Sequence, residues 1–150
     1  MNARQSWPKI PPRRESKSPR HSRSGPATAV RRKVWARSGR CCERCGIGCN
    51  TFFRTAGEIH HRRNRSQGVD NSLANLVLLC HLCHVWVGAD PKAAATQGFH
   101  LEQGDIPEKT PVLYGGEYTE TYGRRWMVLS ADGGVDPAPE DPPPPQEGNA

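Results

Sequence analysis

Two Cys-x-x-Cys pairs constrain the fold of this chain more than any other feature of its sequence. The first pair is Cys42 and Cys45, and the second is Cys80 and Cys83. Each pair forms a turn that presents two sulfurs to one metal ion, and four thiolates complete a tetrahedral zinc site with no position left for water. We therefore predict a structural zinc that fastens the turn near residue 42 to a helix starting near residue 80.

Two further cysteines leave one of the ligands ambiguous. Cys41 directly precedes Cys42 and would form a Cys-x3-Cys pair with Cys45, so either Cys41 or Cys42 can be the ligand. We expect Cys49 to take no part. A redox motif needs one Cys-x-x-Cys pair rather than two, which disfavours redox chemistry. Unrelated buried thiols are the remaining alternative to a metal site.

The composition favours a small core that needs such a metal. Only 35% of the 150 residues are hydrophobic, and the chain has 15 glycines and 14 prolines. A core of this size is usually reinforced by a disulfide or a metal ion. No apolar run approaches the length of a membrane span, and the N-terminus lacks the apolar stretch of a secretory signal. We therefore expect a cytoplasmic protein without a membrane partner, whose cysteines bind metal.

Charge is unevenly distributed along the chain. Residues 1–26 contain seven basic side chains and one acid, whereas residues 131–150 contain five acids and no base. The whole chain has a net charge of +6, and the two end segments nearly cancel each other, so the middle segment is also basic. A basic segment favours a polyanionic partner such as DNA. Charge alone does not separate nucleic acid from an anionic membrane surface. The basic N-terminal segment is either a solubilising tail or an arm that binds DNA.

These patterns divide the chain into four predicted segments. They are a disordered basic tail over residues 1–26, a compact domain over 27–100, a small β-like extension over 101–133, and a disordered, proline-rich acidic tail over 134–150. The fold class that follows is a small α+β domain stapled by four cysteines on zinc.

Within the compact domain the patterning predicts five elements. They are a helix at about 29–38, strands at 52–61 and 75–79, a short helix that starts between residues 80 and 83, and a further helix from residue 90. The last helix is predicted because Asp90 is a preferred N-cap and Pro91 suits the first helical position. Two β-like fragments follow, at 111–114 and 125–129.

Three polar motifs lie between and just after the cysteine pairs: Glu58-Ile59-His60-His61, Asn75-Leu76 and Cys83-His84. In this order, nested with two Cys-x-x-Cys pairs, they resemble the HNH endonuclease family, particularly phage-encoded members with the pattern CxxCG, HH, NL and CxxCH. The resemblance covers about residues 30–100. It implies a ββα-metal fold, in which two strands and a helix hold one divalent ion, and cleavage of DNA to 5′-phosphate and 3′-hydroxyl ends.

The resemblance also implies a role for each motif. His61 would be the general base that deprotonates water, a task that suits an imidazole near neutral pH. His60 and His84 would bind the catalytic ion, which is Mg²⁺, Mn²⁺, Ni²⁺ or Zn²⁺, and Asn75 would hold the loop that carries His61. The alternatives are ordinary surface histidines at 60 and 61, and His84 as a zinc ligand in place of a cysteine.

Other polar residues surround these motifs. Arg62, Arg63 and Arg65 follow the histidine pair, and we expect them to grip DNA phosphates, although arginine runs are often simply solvated. Glu58 is either a hydrogen-bond partner of a histidine or, in the interpretation that we favour, a solvated strand residue. His81 and His100 are expected to be incidental.

Gly88 is a departure from the family pattern. Many phage-encoded members carry a further histidine four residues after the one that corresponds to His84, and residues at this spacing share a helix face. A second function class is therefore a non-catalytic, zinc-stapled DNA-binding module with a degenerate HNH site. A third, a scaffolding protein, would leave the histidine pair unexplained. The resemblance to phage-encoded members further implies a phage genome, the host cytoplasm, and terminase or other packaging proteins as partners.

Overall fold

An antiparallel hairpin and the helix that follows it form the centre of the fold. In the computed structural model, which describes residues 25–50, 54–117 and 119–139, β1 (Gly57–His61) pairs with β2 (Leu76–Cys80) so that His61 lies opposite Leu76. Helix α2 (His81–Ala89) begins directly after β2. This ββα unit confirms the small α+β fold predicted from the sequence.

The apolar run of β2 forms the floor of the core. All five of its residues are buried, as their continuous hydrophobic pattern indicates. Helix α1 (Thr28–Arg37) packs on this strand with Val34, which is fully buried, and the Trp35 ring lies against Gly57 at the start of β1. The hairpin is therefore covered by α1 and α2, both of which contact it.

Helix α3 (Pro91–Thr96) has the termini that the sequence predicts. The Asp90 side chain accepts a hydrogen bond from the Ala93 amide at 3.0 Å, and Pro91 occupies the first turn. Gly98 follows with a φ of 78°, and a Cβ there would lie 2.1 Å from the Pro111 carbonyl oxygen. Glycine is required at this position because a side chain would meet backbone.

A second sheet lies beyond α3. It has the order β3 (Val112–Tyr114), β4 (Arg125–Leu129) and β5 (Val135–Pro137), with the short helix α4 (Thr119–Tyr122) between the first two strands. The two β-like fragments are thereby confirmed as strands.

Strand β5 lies inside the segment from residue 134 that was expected to be disordered, so regular structure extends past that predicted boundary. A closed turn positions this strand: the Ser130 amide donates to Gly134 O, and Ser130 and Gly134 both bond the Asp132 carboxylate. Pro137 is compatible with an edge strand, which needs no amide from it. Much of both predicted tails lies outside the described residues, namely residues 1–24 and 140–150. The same holds for residues 51–53 of the predicted first strand.

None of the helices in the described part of the chain combines the length and the apolar character that crossing a bilayer requires.

Arg62 is the largest correction to the sequence analysis, because its predicted contact with DNA is wrong. Its side chain is fully buried. The guanidinium donates hydrogen bonds of 2.6 to 3.4 Å to five backbone carbonyl oxygens, those of Ala74, Gly98, Pro107, Thr110 and Pro111. Burial and the nearby charge of Arg37 lower the pKa of Arg62 to about 10, so it remains charged at neutral pH. Arg62 thus joins the loop between β1 and β2 to the long connection between α3 and β3 from inside the protein.

We predict that Arg62→Met destabilises the fold by more than about 3 kcal/mol, because it strands buried carbonyl groups without a donor. Chemical denaturation of the metal-loaded protein measures this change. The matched control is Arg65→Met, which removes an exposed arginine nearby and should alter stability by less than about 0.5 kcal/mol. Unchanged stability together with weakened DNA binding in Arg62→Met would show that Arg62 is a DNA contact after all.

Candidate functional site

The four cysteines of the two Cys-x-x-Cys pairs meet at one point. The Sγ atoms of Cys42, Cys45, Cys80 and Cys83 all lie within 4.8 Å of one another. Within the described part of the chain, no other group of three or more His, Cys, Asp or Glu side chains is close enough to share an ion. The structure brings Cys42 rather than Cys41 into this cluster and leaves His84 outside it.

Hydrogen bonds within the cluster stabilise the thiolate form of Cys42. Donation by the Cys45 and Cys83 thiols lowers the pKa of Cys42 far below its usual value, although burial opposes this change. Arg44 Nη1 donates to Cys83 Sγ at 3.5 Å, and its guanidinium stacks 3.6 Å above the Trp86 ring. Four neighbouring sulfurs, one of them already stabilised as a thiolate by its neighbours, fit a Zn²⁺ ion, which would take the place of the shared protons.

Glu43, between the first two cysteines, fixes the turn to the rest of the domain. Its fully buried carboxylate forms a two-pronged ion pair with Arg37, at 2.7 and 2.9 Å. The carboxylate also accepts hydrogen bonds from the Leu78 amide at 2.7 Å and from the Tyr114 hydroxyl at 2.9 Å. The turn is therefore held against α1, β2 and β3 at once.

The predicted catalytic histidines open onto one cavity of about 320 Å³. Its lining consists of Ile59, His60, His61, Asn64, Arg65, His84 and His100. The rings of His60 and His84 meet edge to face, with centroids 5.4 Å apart. Both adjacent histidines reach the cavity because β1 ends at His61, where strict alternation of side chains no longer applies. His100, expected to be incidental, also lines it.

A backbone carbonyl fixes the orientation of His60. Its Nε2 lies 2.9 Å from the Phe99 carbonyl oxygen, which can only accept, so Nε2 carries the hydrogen and Nδ1 keeps its lone pair. Burial lowers the pKa of His60 to about 4 despite this bond. His60 is therefore neutral at physiological pH, as a metal ligand must be.

Glu58 holds His84 in the corresponding way. Its carboxylate lies 2.5 Å from Nδ1 of His84 and 2.8 Å from Nδ1 of His81. The interpretation of Glu58 as a solvated residue, and of His81 as incidental, is therefore wrong. The sequence contained a signal for this contact: Glu58 and His60 are two residues apart in a strand, so they share one face of it.

His61 has a partner that sequence reasoning missed. Its Nε2 lies 2.9 Å from Oδ1 of Asn71, a residue in the loop between β1 and β2. Asn75, which was expected to hold this loop, is fully buried; its side chain accepts from the Arg63 amide at 2.7 Å and donates to the Asp70 carbonyl at 2.8 Å. The amide of Asn75 thereby ties both ends of the loop together.

The remaining two arginines of the predicted phosphate-binding run have different surroundings. Arg63 forms an ion pair with Asp70 at 3.0 Å, and its side chain is 29% exposed. Arg65 is exposed and lines the histidine cavity. Of the three arginines, Arg65 is thus the one that lines the histidine cavity.

We predict about one tightly bound zinc per chain, and loss of both the metal and the folded state in Cys80→Ser and Cys83→Ser, because the binding energy of a structural zinc contributes directly to folding. Metal analysis and circular dichroism test this. Cys41→Ser is the control: its partly exposed thiol lies outside the cluster, so zinc should be retained. A folded preparation that contains no zinc would contradict the prediction.

Comparison with protein families identifies the segment that holds both sites. Residues 42–89 match the model described as HNH endonuclease. A comparison with curated proteins finds no match, and neither does one with solved structures. The matched segment runs from the first cysteine of the cluster to the end of α2, and it includes both strands of the hairpin and three of the four histidines of the cavity, His60, His61 and His84. The ββα segment is therefore the part of the chain that is similar to the HNH endonuclease family.

Proposed function

We propose that this protein is a metal-dependent DNA endonuclease that hydrolyses phosphodiester bonds. The observation that carries the proposal is the shared cavity of His60, His61 and His84, each of which has one ring nitrogen fixed by an oxygen acceptor. All three histidines lie within the segment that matches the family. DNA, a substrate implied by the family, also suits the net charge of +6.

His60 and His84 fit the requirements for a divalent metal ion. Nε2 of His60 is bonded to a carbonyl oxygen, which leaves Nδ1 of His60 free to bind a metal ion. Nδ1 of His84 is bonded to a carboxylate, which leaves Nε2 of His84 free to bind the same ion. This arrangement of an outer partner behind each imidazole is typical of metal-binding histidines. A bound Mg²⁺, Mn²⁺, Ni²⁺ or Zn²⁺ ion would polarise the scissile phosphate and stabilise charge on the leaving 3′ oxygen.

His61 would act as the general base. Because Asn71 Oδ1 accepts from Nε2–H, the lone pair on Nδ1 of His61 is free to take a proton from water. The resulting hydroxide attacks phosphorus, and the bond between phosphorus and the 3′ oxygen breaks. The products are a 5′-phosphate and a 3′-hydroxyl. Arg65, at the same cavity, would bind a phosphate oxygen of the substrate.

A phage origin, the host cytoplasm and terminase or other packaging partners are narrower proposals. They rest on the sequence resemblance to phage-encoded members and on the pattern of the Cys83-His84 motif within it.

Gly88 supports a second candidate function, a DNA-binding module without catalysis. A Cβ at this exposed helix position would meet no atom within 4 Å, so nothing in the surrounding packing requires glycine there. The metal would then have two histidine ligands from the cavity. Cleavage by the parent protein decides between the two candidates.

We predict that the protein nicks plasmid DNA only with a divalent metal present, and that His61→Ala loses at least about a hundredfold in rate at every metal concentration. His60→Ala and His84→Ala should regain part of their activity as metal concentration rises, because they weaken binding rather than proton transfer. His100→Ala, at the same cavity, is the control and should cut like the parent. Rescue of His61→Ala by metal would reverse the assigned roles, and binding without cleavage by the parent would favour the second candidate.

We predict that Asn71→Ala lowers the cleavage rate without altering metal binding, because His61 loses the acceptor that fixes its tautomer. Asn71→Asp retains an acceptor oxygen and should recover part of the rate. The carboxylate that this variant adds favours the protonated imidazole of its neighbour. As pH falls, the activity of Asn71→Asp should therefore begin to decline at a higher pH than the activity of the parent. Rate profiles against pH, with metal titration, distinguish this positioning role from loss of structure. Equal activity and identical profiles in all three proteins would rule it out.

A further inference from the structure

A second concave surface lies along helix α1, outside the segment that matches the HNH family. It forms a groove of about 470 Å³ that we call the α1 groove, lined by Thr28, Arg31, Arg32, Trp35, Ala36 and Arg40. The three arginines are exposed, and Trp35 is partly exposed. Neither the zinc cluster nor the histidine cavity shares a lining residue with this groove.

The residues that line the α1 groove include arginines and no acidic side chain. The chain contains no acidic residue from Gly25 to Cys42, whereas Arg31, Arg32, Lys33 and Arg40 are exposed cations in this stretch. Arg37, the other arginine here, is paired with Glu43 inside the protein and adds no free charge outside. Three guanidinium groups around a concavity match the oxygens of successive phosphates better than they match a flat anionic surface.

The α1 groove is close to the histidine cavity in the fold. A Cβ at Gly25, just before α1, would lie 3.5 Å from Nη2 of Arg65, which lines the cavity. At the other end of the helix, the Trp35 ring touches Gly57, the first residue of the strand that ends at His61. The segment just before α1 therefore lies beside Arg65 of the cavity, and the C-terminal half of the helix lies beside the strand that ends at His61.

We propose that the α1 groove binds the phosphate backbone of duplex DNA beside the cleavage cavity. This proposal rests on DNA as the ligand of the proposed function. Arg31, Arg32 and Arg40 contact phosphates of the flanking duplex, so that α1 contributes affinity and fixes which way the substrate leaves the cavity. Such contacts position a duplex and carry no sequence information. They also release counterions, which makes binding through the groove salt-dependent.

The test compares two variants of equal charge in the non-cleaving His61→Ala background. The groove variant carries Arg31→Gln, Arg32→Gln and Arg40→Gln, and glutamine maintains helix propensity on α1. The control carries Lys92→Gln, Lys109→Gln and Arg125→Gln, three exposed cations that do not line the groove. Binding to one plasmid-derived duplex is measured against salt concentration, and circular dichroism and zinc content verify folding.

We expect the groove variant to bind at least about tenfold more weakly and to lose about one unit of salt slope per phosphate contact removed, with a much smaller change in the control. With His61 restored, the groove variant should need a higher protein concentration than the parent to reach half of its maximum cleavage rate, in proportion to its weaker binding. Equal effects of the two triple variants, or an unchanged salt slope in the groove variant, would overturn the proposal. If the parent binds DNA without cutting it and the groove variant loses its salt slope, the groove proposal holds while the nuclease proposal fails.

Discussion

The buried ion pair between Arg37 and Glu43 is the interaction on which the rest of this structure depends. Glu43 sits inside the first cysteine turn, and its carboxylate also accepts from the Leu78 amide and the Tyr114 hydroxyl. Burial has the largest single effect and lowers the pKa of Arg37, but the charges and hydrogen bonds of Glu43 and Tyr114 together raise the pKa above its usual value. Removing one partner of such a pair leaves an uncompensated buried charge, which costs about 3–5 kcal/mol. The pair therefore fixes where the cysteine turn can lie relative to α1 and β2.

A second buried cation performs a related task on the other side of the hairpin. Arg62 binds carbonyl groups of two loops, including that of Gly98, and the neighbouring Phe99 carbonyl orients His60. A chain with so little apolar material cannot position these loops by hydrophobic packing alone. The Arg62 guanidinium, which donates hydrogen bonds to specific carbonyl oxygens, fixes the positions of these loops instead. The geometry of the histidine cavity thus depends on buried polar contacts as much as on the core.

The predictions that succeeded depend on local order along the chain. The two Cys-x-x-Cys pairs, the apolar run of β2, and the Asp90-Pro91 start of α3 are determined by residues within a few positions of each other, and each has the predicted structure. The histidines were found in the same way, because a family pattern records their order in sequence. Apart from β5, which forms in a segment expected to be disordered, the predictions that failed concern the surroundings of a side chain.

The sequence by itself determined the α+β class, the four cysteines that can share an ion, and the histidines at the end of the hairpin. Only the tertiary structure decided that Arg62 is internal, that Glu58 supports His84, and that Asn71 orients His61. An arginine in a polar run has the same local pattern whether it faces solvent or a set of loop carbonyls. Its environment is set by segments more than 30 residues away, such as Gly98, 36 residues along the chain. Those contacts exist only after the loops have closed around the hairpin, so no local pattern encodes them.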